Sequence, residues 1–125
     1  MDPLILNIEA ATRNNVFYRH VIYTSKYLQL VLMCLLPGED IPLETHDGEQ
    51  FIRIESGQGI VKIDGQETVI FDGDSINIPE GAAHYLLNNG NVPLKLYTIY
   101  SPPEHSPTRK EYTDPQTRER IIISG

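Results

Sequence analysis

Short blocks of apolar and aromatic residues, separated by glycine, proline, asparagine and aspartate, dominate this chain from residue 16 to residue 100. Blocks of this kind, rich in β-branched and aromatic side chains, are typical of β-strands. The predicted strands are Val16–Tyr23, Tyr27–Leu36, Ile41–His46, Gln50–Glu55, Ile60–Ile63, Glu67–Phe71, Ser75–Ile78, Ala83–Leu87 and Leu94–Tyr100. Many short strands with close turns between them indicate an all-β sandwich or jelly roll.

The predicted strand Tyr27–Leu36 is apolar at nearly every position, unlike its neighbours. A strand with one face in water alternates between apolar and polar residues, so this strand should be covered on both faces. Because the pattern predicts few helices, we expect a second subunit to cover the outer face, which makes the protein a homodimer. The alternative is that an internal N-terminal strand or loop supplies the cover.

Residues 101–125 depart from the strand pattern. Three prolines between Ser101 and Pro107 remove backbone donors, so this segment should run extended over the surface. Asp114 followed by proline is typical of a helix start, which predicts one or two helical turns over Pro115–Arg120. The apolar Ile121–Ile123 should pair at a sheet edge, dock on a partner subunit or fray.

Length and charge narrow the class of protein. At 125 residues the chain is long enough for one domain, which we expect to span residues 1–125, with its core over residues 16–100 and a tail over 101–125. A net charge of −7 disfavours binding to nucleic acid or to an anionic membrane. No apolar run is long enough to span a membrane, and the N-terminus lacks the pattern of a signal peptide. The single cysteine, Cys34, should be buried and fits a reducing, cytoplasmic location.

Two spaced patterns stand out. The pattern nearer the C-terminus reads GDSINIPEGAAHYLLN over residues 73–88. Its proline and glycine predict a type I turn between two strands. It matches Gly-x5-Pro-x-Gly-x2-His-x3-Asn, with His84 as the histidine. The first, from Gly38 to Gly57, has the spacing of Gly-x5-His-x-His-x3-Glu-x6-Gly, but with Glu44 at the first histidine and Gln50 at the glutamate. Together the two patterns resemble the paired signature of the cupin superfamily.

The resemblance implies a double-stranded β-helix, or jelly-roll, barrel with a ligand mouth at one end. To this barrel the residues themselves add the extended proline-rich C-terminal tail. In cupins the four signature positions converge inside the barrel and hold a divalent metal. Carried over to this chain, the implied ligands are Glu44, His46, Gln50 and His84. Two imidazoles and one carboxylate suit Fe, Mn, Ni or Zn, while the neutral Gln50 amide is a weaker donor. The alternative is a buried hydrogen-bonded network without a metal.

The same resemblance guides the functional hypothesis, because small cupins are similar to the barrel of phosphomannose-isomerase-type proteins. It implies a metal-dependent enzyme acting on a small polar metabolite, with a sugar or sugar-phosphate isomerase as the first hypothesis. A dioxygenase that uses two histidines and one carboxylate is a second enzymatic hypothesis. A different class of function is a non-catalytic cupin that binds or senses a small ligand.

Other polar residues near the signature have less specific interpretations. Asp47 and Glu49 are expected to be solvated loop carboxylates, with a supporting or general-base role as the alternative. Tyr85 should point away from His84, because neighbouring residues of a strand face opposite sides. By the same rule Tyr97 and Tyr100 cannot both line the pocket.

Two histidines lie outside both patterns. His20 falls within a predicted strand and should be a residue of its surface. His105 falls within the proline-rich segment and should be a solvated residue of the tail. We therefore expect neither imidazole to contribute to the site.

Overall fold

The computed structural model describes residues 2–125, and antiparallel β-strands account for most of them. One short helix, α1 (Ile8–Asn14), precedes the strands. The strands are β1 (Arg19–Thr24), β2 (Gln29–Leu35), β3 (Asp40–Glu44), β4 (Glu49–Ser56), β5 (Gln58–Ile63), β6 (Gln66–Phe71), β7 (Ser75–Ile78), β8 (His84–Leu87), β9 (Leu94–Ser101), β10 (Lys110–Thr113) and β11 (Arg120–Ser124). No helix within residues 2–125 is both long and apolar enough to cross a membrane.

The strands form two sheets that enclose the core. The larger sheet has the order β11-β10-β1-β2-β9-β4-β7, and the smaller has the order β3-β8-β5-β6. Alternate residues of the facing strands point inward, including Met33 and Ile54 from the larger sheet and Val61 and Leu86 from the smaller. The all-β jelly-roll prediction is confirmed, and each strand predicted between residues 16 and 100 is present with small shifts of its ends. The alternation predicted for β4 is also observed, since Gln50 is buried together with the inward isoleucines.

The chain itself covers the outer face of β2. Leu32 and Cys34 point away from the barrel core, yet both are buried. Helix α1 packs on the larger sheet, where Arg13 Nη2 donates a hydrogen bond to the carbonyl oxygen of Glu55 at 2.7 Å. The backbone N–H of Cys34 donates to Phe17 O at 3.0 Å. Our expectation that a second subunit supplies this cover is therefore wrong, and the internal N-terminal segment does so instead.

The sequence pattern missed α1 because the helix is short and its signals are local. Its start is fixed by Asn7, whose side chain accepts a hydrogen bond from Ala10 N at 2.9 Å. A helix of this length is marginal alone and depends on packing against the sheet. Buried Thr12 is part of that packing, and its hydroxyl donates to Ile8 O at 2.7 Å.

The C-terminal region adds a hairpin to the edge of the larger sheet. Strand β10 pairs with β1, and β11 pairs with β10, so Ile121–Ile123 lies at a sheet edge as one of our alternatives proposed. No helix forms over Pro115–Arg120, so that prediction is wrong, but Asp114 does cap a turn: its Oδ1 accepts from Gln116 N at 2.8 Å, and its carbonyl oxygen accepts from Arg118 N at 2.8 Å. Asp114 N donates to Glu119 O at 2.9 Å, which closes a turn between the two strands. The hairpin's strand pairing holds these residues in the turn in place of a helix.

Buried polar groups attach this hairpin to the barrel. Arg19 Nη1 lies 2.7 Å from Glu111 Oε1 on the neighbouring strand. Thr113 Oγ1 donates to Glu39 Oε2 at 2.6 Å, and the other oxygen of Glu39 accepts from Leu36 N at 2.8 Å. Buried charges are tolerated when they are paired and hydrogen-bonded in this way. The segment between β9 and β10 has no strand, as the prolines predicted.

Asn88, the last residue of the second signature pattern, should be critical for stability. It is fully buried, and its Nδ2 donates to Leu35 O and Val92 O, both at 2.9 Å. Its Oδ1 accepts from Gly90 N at 2.9 Å. Asn88→Ala should lower the free energy of unfolding by about 3 kcal/mol, because buried backbone groups lose their partners. Urea unfolding measures the change, with the exposed Asn89→Ala as the control. Equal stability of the two variants would contradict this role.

Candidate metal centre

The smaller sheet brings Glu44 and His84 together. Glu44 ends β3 and pairs directly with His84, the first residue of β8, after an irregularity in the register. Partners in an antiparallel pair share a face, so both side chains enter the barrel. His46 lies beyond the end of β3, and its carbonyl oxygen accepts from Gly81 N at 3.0 Å. That bond ties His46 to the turn that also positions His84.

The three side chains converge on one point. Glu44 Oε1 lies 3.1 Å from His46 Nε2 and 3.3 Å from His84 Nε2. One potential ligand atom from each residue lies within 4.8 Å of the others. The imidazole centroids are 5.0 Å apart, and both rings are largely buried. These three residues could hold a metal ion.

The hydrogen bonding of His84 leaves a ligand atom free. Its Nδ1 donates to Ala82 O at 3.0 Å, so Nε2 carries the lone pair of the neutral ring. This buried Nε2 has no hydrogen-bond partner within residues 2–125, although Glu44 Oε1 is only 3.3 Å away. A lone pair that faces a carboxylate oxygen requires a proton or a cation between them. The donor set therefore fits a divalent metal.

Gln50 offers a fourth oxygen. Its side chain is buried, and Nε2 donates to Thr98 Oγ1 at 3.0 Å. The amide Oε1 is buried and has no partner in the described part of the chain. Gln50 pairs across the sheet with Tyr100, whose ring lies edge-on to His46 at 5.4 Å between centroids. The strand pairing thus places the free amide oxygen on the face that bears the site.

Glu44 and His84 shift one another's pKa in opposite directions. Burial raises the pKa of Glu44, but its contacts with His84 and His46 outweigh this effect and hold the pKa below its ordinary value. Burial lowers the pKa of His84, but contact with Glu44 outweighs it and raises the pKa. Each shift favours the charged form. Without a metal, a carboxylate paired with an imidazolium satisfies the site.

The sequence pattern missed a group of residues from the segment after β9. Glu104 Oε1 lies 3.1 Å from His46 Nδ1. Our expectation that His105 is a solvated tail residue is wrong, because its ring packs edge-on to Tyr100 at 5.2 Å between centroids. Burial also lowers the pKa of His105 to about 4. A signal for the burial of this segment was Gln29, a polar residue within an otherwise apolar strand, because a buried glutamine side chain needs hydrogen-bond partners.

Residues near the signature lie where strand alternation placed them. Tyr100 is buried beside the site, whereas Tyr97 is on the opposite face against Phe51. Tyr85 is on the outer face of the smaller sheet, since its neighbour His84 points inward. His20 is half-buried on its strand, where its ring contacts Phe17. Asp47 and Glu49 are exposed, as expected for loop carboxylates.

A cavity of about 350 Å³ lies along β5 and β6, and none of the candidate ligands is among its lining residues. Its lining includes Ile63, which pairs directly with His84 across β5 and β8. Asp64, Gln66 and Thr68 supply polar groups to its wall. A cavity of this size and lining can take a small polar molecule.

Comparisons with known proteins agree with this architecture. The family model described as the cupin domain matches residues 31–100. The uncharacterized protein YrkC of Bacillus subtilis is 44% identical over 110 residues, which cover 82% of this chain and 59% of that protein. The chain therefore spans about three fifths of the length of this relative.

Two further similarities concern a solved structure and a named enzyme. A Bacillus halodurans protein of known crystal structure is 40% identical, with a TM-score of 0.85, covering 87% of this chain and 88% of that chain. The mannose-1-phosphate guanylyltransferase of Escherichia coli is 33% identical over 75 residues. That match covers 58% of this chain but only 16% of the enzyme.

The pair of Glu44 and His84 should make the stability of the metal-free protein depend on pH. The pKa of Glu44 is lowered from 4.5, so its contribution is complete above pH 4.5 and is lost as pH falls through the folded-state pKa. The pKa of His84 is raised from 6.5, so its contribution is complete below pH 6.5 and is lost as pH rises through the folded-state pKa.

The stability difference between wild type and Glu44→Gln should therefore be largest between pH 4.5 and 6.5 and decline on both sides. Urea unfolding in EDTA across this pH range measures that difference. Glu67→Gln, at an exposed carboxylate of the smaller sheet, is the matched control. A difference that does not vary with pH would contradict the pairing.

Proposed function

The chain belongs to the cupin superfamily, and from that premise we propose that it binds one divalent transition metal through Glu44, His46 and His84. Gln50 is proposed as a weaker fourth ligand through its amide oxygen. The convergence of three ligand atoms within 4.8 Å carries this proposal. The unpartnered Nε2 of His84 and Oε1 of Gln50 support it, because buried polar atoms normally have partners.

The composition of the donor set indicates which metals suit the site. Two imidazoles and one carboxylate are the ligands of many sites for Fe, Mn, Ni or Zn in proteins. Glu44 supplies the negative charge that a glutamate at the position of Gln50 would supply in the usual cupin pattern. Three strong ligands leave coordination positions open for a substrate, as catalytic metal sites require.

We further propose that the protein is a metal-dependent enzyme acting on a small polar metabolite. When bound, the metal would polarise a substrate oxygen as a Lewis acid. Ala82 O fixes the ring of His84, and Thr98 Oγ1 fixes the amide of Gln50, so these ligands need little rearrangement. The cavity along β5 and β6 would hold the substrate, with Gln66 and Thr68 binding its hydroxyl groups, and it connects to the ligands through Ile63, which pairs with His84.

A sugar or sugar phosphate is our first hypothesis for the substrate, and an isomerase-like reaction is the first hypothesis for the chemistry. The similarity of 75 residues to part of a mannose-1-phosphate guanylyltransferase supports a connection with sugar phosphates. The polar lining of the cavity is compatible with a polyhydroxylated ligand. NMR of the metal-loaded protein with aldose and ketose phosphates tests the hypothesis. Conversion supports an isomerase, binding without conversion supports a non-catalytic sensor, and oxygen consumption supports a dioxygenase.

Two other proposals concern the state of the protein in the cell. The cytoplasmic location stays a prediction of the sequence, whereas the homodimer is now a proposal, because its argument from the outer face of β2 no longer holds. Exposed Val69 pairs with Ile60, and Ile60 pairs with Leu87, so these three residues form an apolar row across the outer face of the smaller sheet. We propose that this face contacts a second copy of the chain. Sedimentation equilibrium at micromolar concentration decides between the monomer and the dimer.

Metal content is the direct test of the proposed function. Wild-type protein purified without a metal-chelating tag should retain about one equivalent of a transition metal, because two imidazoles and a carboxylate form a strong donor set. His84→Ala should lose that metal, whereas His20→Ala, a histidine change outside the site, should keep it. Elemental analysis of the three proteins measures the content.

Two results would contradict the metal proposal. The first is wild-type protein with less than about a tenth of an equivalent of metal and with unchanged folding in EDTA, since metal bound to the native state stabilises it. The second is full metal content in the His84→Ala variant, which would exclude His84 as a ligand.

A further inference from the structure

Glu104 reaches the site from a segment far away in the chain. Its Oε1 lies 3.1 Å from Nδ1 of His46, the ring nitrogen on the side away from Glu44. The imidazole of His46 is almost fully buried, while the Glu104 side chain is partly exposed. Nδ1 is buried and has no hydrogen-bond partner within residues 2–125, so the Glu104 carboxylate is the acceptor nearest at hand should this nitrogen carry a proton.

Gln29 holds the backbone that carries Glu104. The Gln29 side chain is fully buried on β2, where Oε1 accepts from Glu104 N at 3.2 Å and from His105 N at 2.9 Å. Its Nε2 donates to His105 O at 2.8 Å and to Thr24 Oγ1 at 3.0 Å. A buried amide is costly unless its hydrogen bonds are made, so these bonds fix the segment on the barrel. Glu104 therefore occupies a defined position.

Aromatic contacts add to this support. Tyr100 lies between the rings of His105 and His46, with centroid distances of 5.2 and 5.4 Å and nearly perpendicular planes. Edge-on contacts of this kind are favourable for aromatic rings. The row of His105, Tyr100 and His46 thus packs the segment against the same imidazole that Glu104 contacts.

The two imidazoles of the site have related surroundings. In His84, Nδ1 donates to Ala82 O, and Nε2 faces Glu44. In His46, Nε2 is hydrogen-bonded to Glu44 Oε1 at 3.1 Å, and Nδ1 lies 3.1 Å from the carboxylate of Glu104 without a hydrogen-bond partner within residues 2–125. A histidine that binds a metal through Nε2 must carry its proton on Nδ1, where an acceptor fixes the ring. Ala82 O is that acceptor for His84, and Glu104 is the corresponding group for His46.

We propose that Glu104 is a positioning residue that accepts the Nδ1 proton of His46 and thereby presents Nε2 to the metal. This inference rests on the metal-binding function proposed above. It assigns a role to the proline-rich segment, which supplies a carboxylate to the site from outside both signature patterns. Glu104 itself is not a ligand in this arrangement, because it lies on the opposite ring nitrogen.

The first measurement is the affinity for Zn(II), determined by competition with a chromophoric chelator. Glu104→Ala should bind Zn(II) about 10- to 100-fold more weakly than wild type, which is the usual effect of losing such a supporting group. Glu49→Ala removes the same charge from an exposed position near the site and should leave the affinity unchanged. Equal affinities of the two variants would overturn the proposal. Glu104→Gln keeps an acceptor oxygen and should retain more affinity than Glu104→Ala.

The second measurement is the hydrogen bond of the His46 Nδ1 proton in the Zn(II)-loaded protein, observed by ¹⁵N imidazole NMR and assigned with His46→Asn. In wild type Nε2 binds Zn(II), and the Nδ1 proton should exchange slowly with water because Glu104 accepts it. Glu104→Ala should speed this exchange, whereas Glu49→Ala should not. Lower affinity with unchanged exchange would overturn the positioning role, because the charge alone would then explain the loss. If wild type binds no Zn(II), the metal function fails together with this inference, whereas Zn(II) binding without the effects of Glu104→Ala overturns the inference alone.

Discussion

The contact of one carboxylate with two imidazoles inside the barrel is the constraint on which the rest of the site depends. Glu44 Oε1 lies close to Nε2 of both His46 and His84. Two ring nitrogens and a carboxylate oxygen cannot remain this close as bare lone pairs, because they would repel one another. A cation or an added proton must satisfy them. The ring of His84 is fixed through its other nitrogen, Nδ1, which donates to Ala82 O.

Both sheets contribute to this arrangement. The smaller sheet supplies Glu44 and His84 as direct partners of β3 and β8, and the turn before β8 holds His46 through Gly81 N. The larger sheet contributes a cross-strand row in which Tyr100 pairs with both Gln29 and Gln50. Gln50 has a buried amide oxygen without a partner in the described residues, while Gln29 fixes the segment that carries Glu104. The candidate metal centre thus receives residues from both sheets.

The regions outside the barrel strands are built into the structure by polar contacts. Helix α1 covers the outer face of β2, and the β10–β11 hairpin extends the larger sheet. Between β9 and β10 the proline-rich segment crosses to the site, where prolines prevent it from continuing as a strand. The segment that looked like a surface tail therefore forms part of the wall around His46.

The sequence by itself determined the strands and the inward face of β4, because alternation and turn residues act over a few neighbouring positions. The convergence of Glu44 with His84 was implied only by the resemblance of the two spaced patterns to cupins. It did not predict α1, the C-terminal hairpin or the burial of His105. Helix α1 depends on packing, and the hairpin depends on pairing with β1. Glu104 and His46 are far apart in the chain, and their contact exists only through Gln29 and the folded sheet. Only the tertiary structure could decide it, since long-range contacts leave no periodic signal in the sequence.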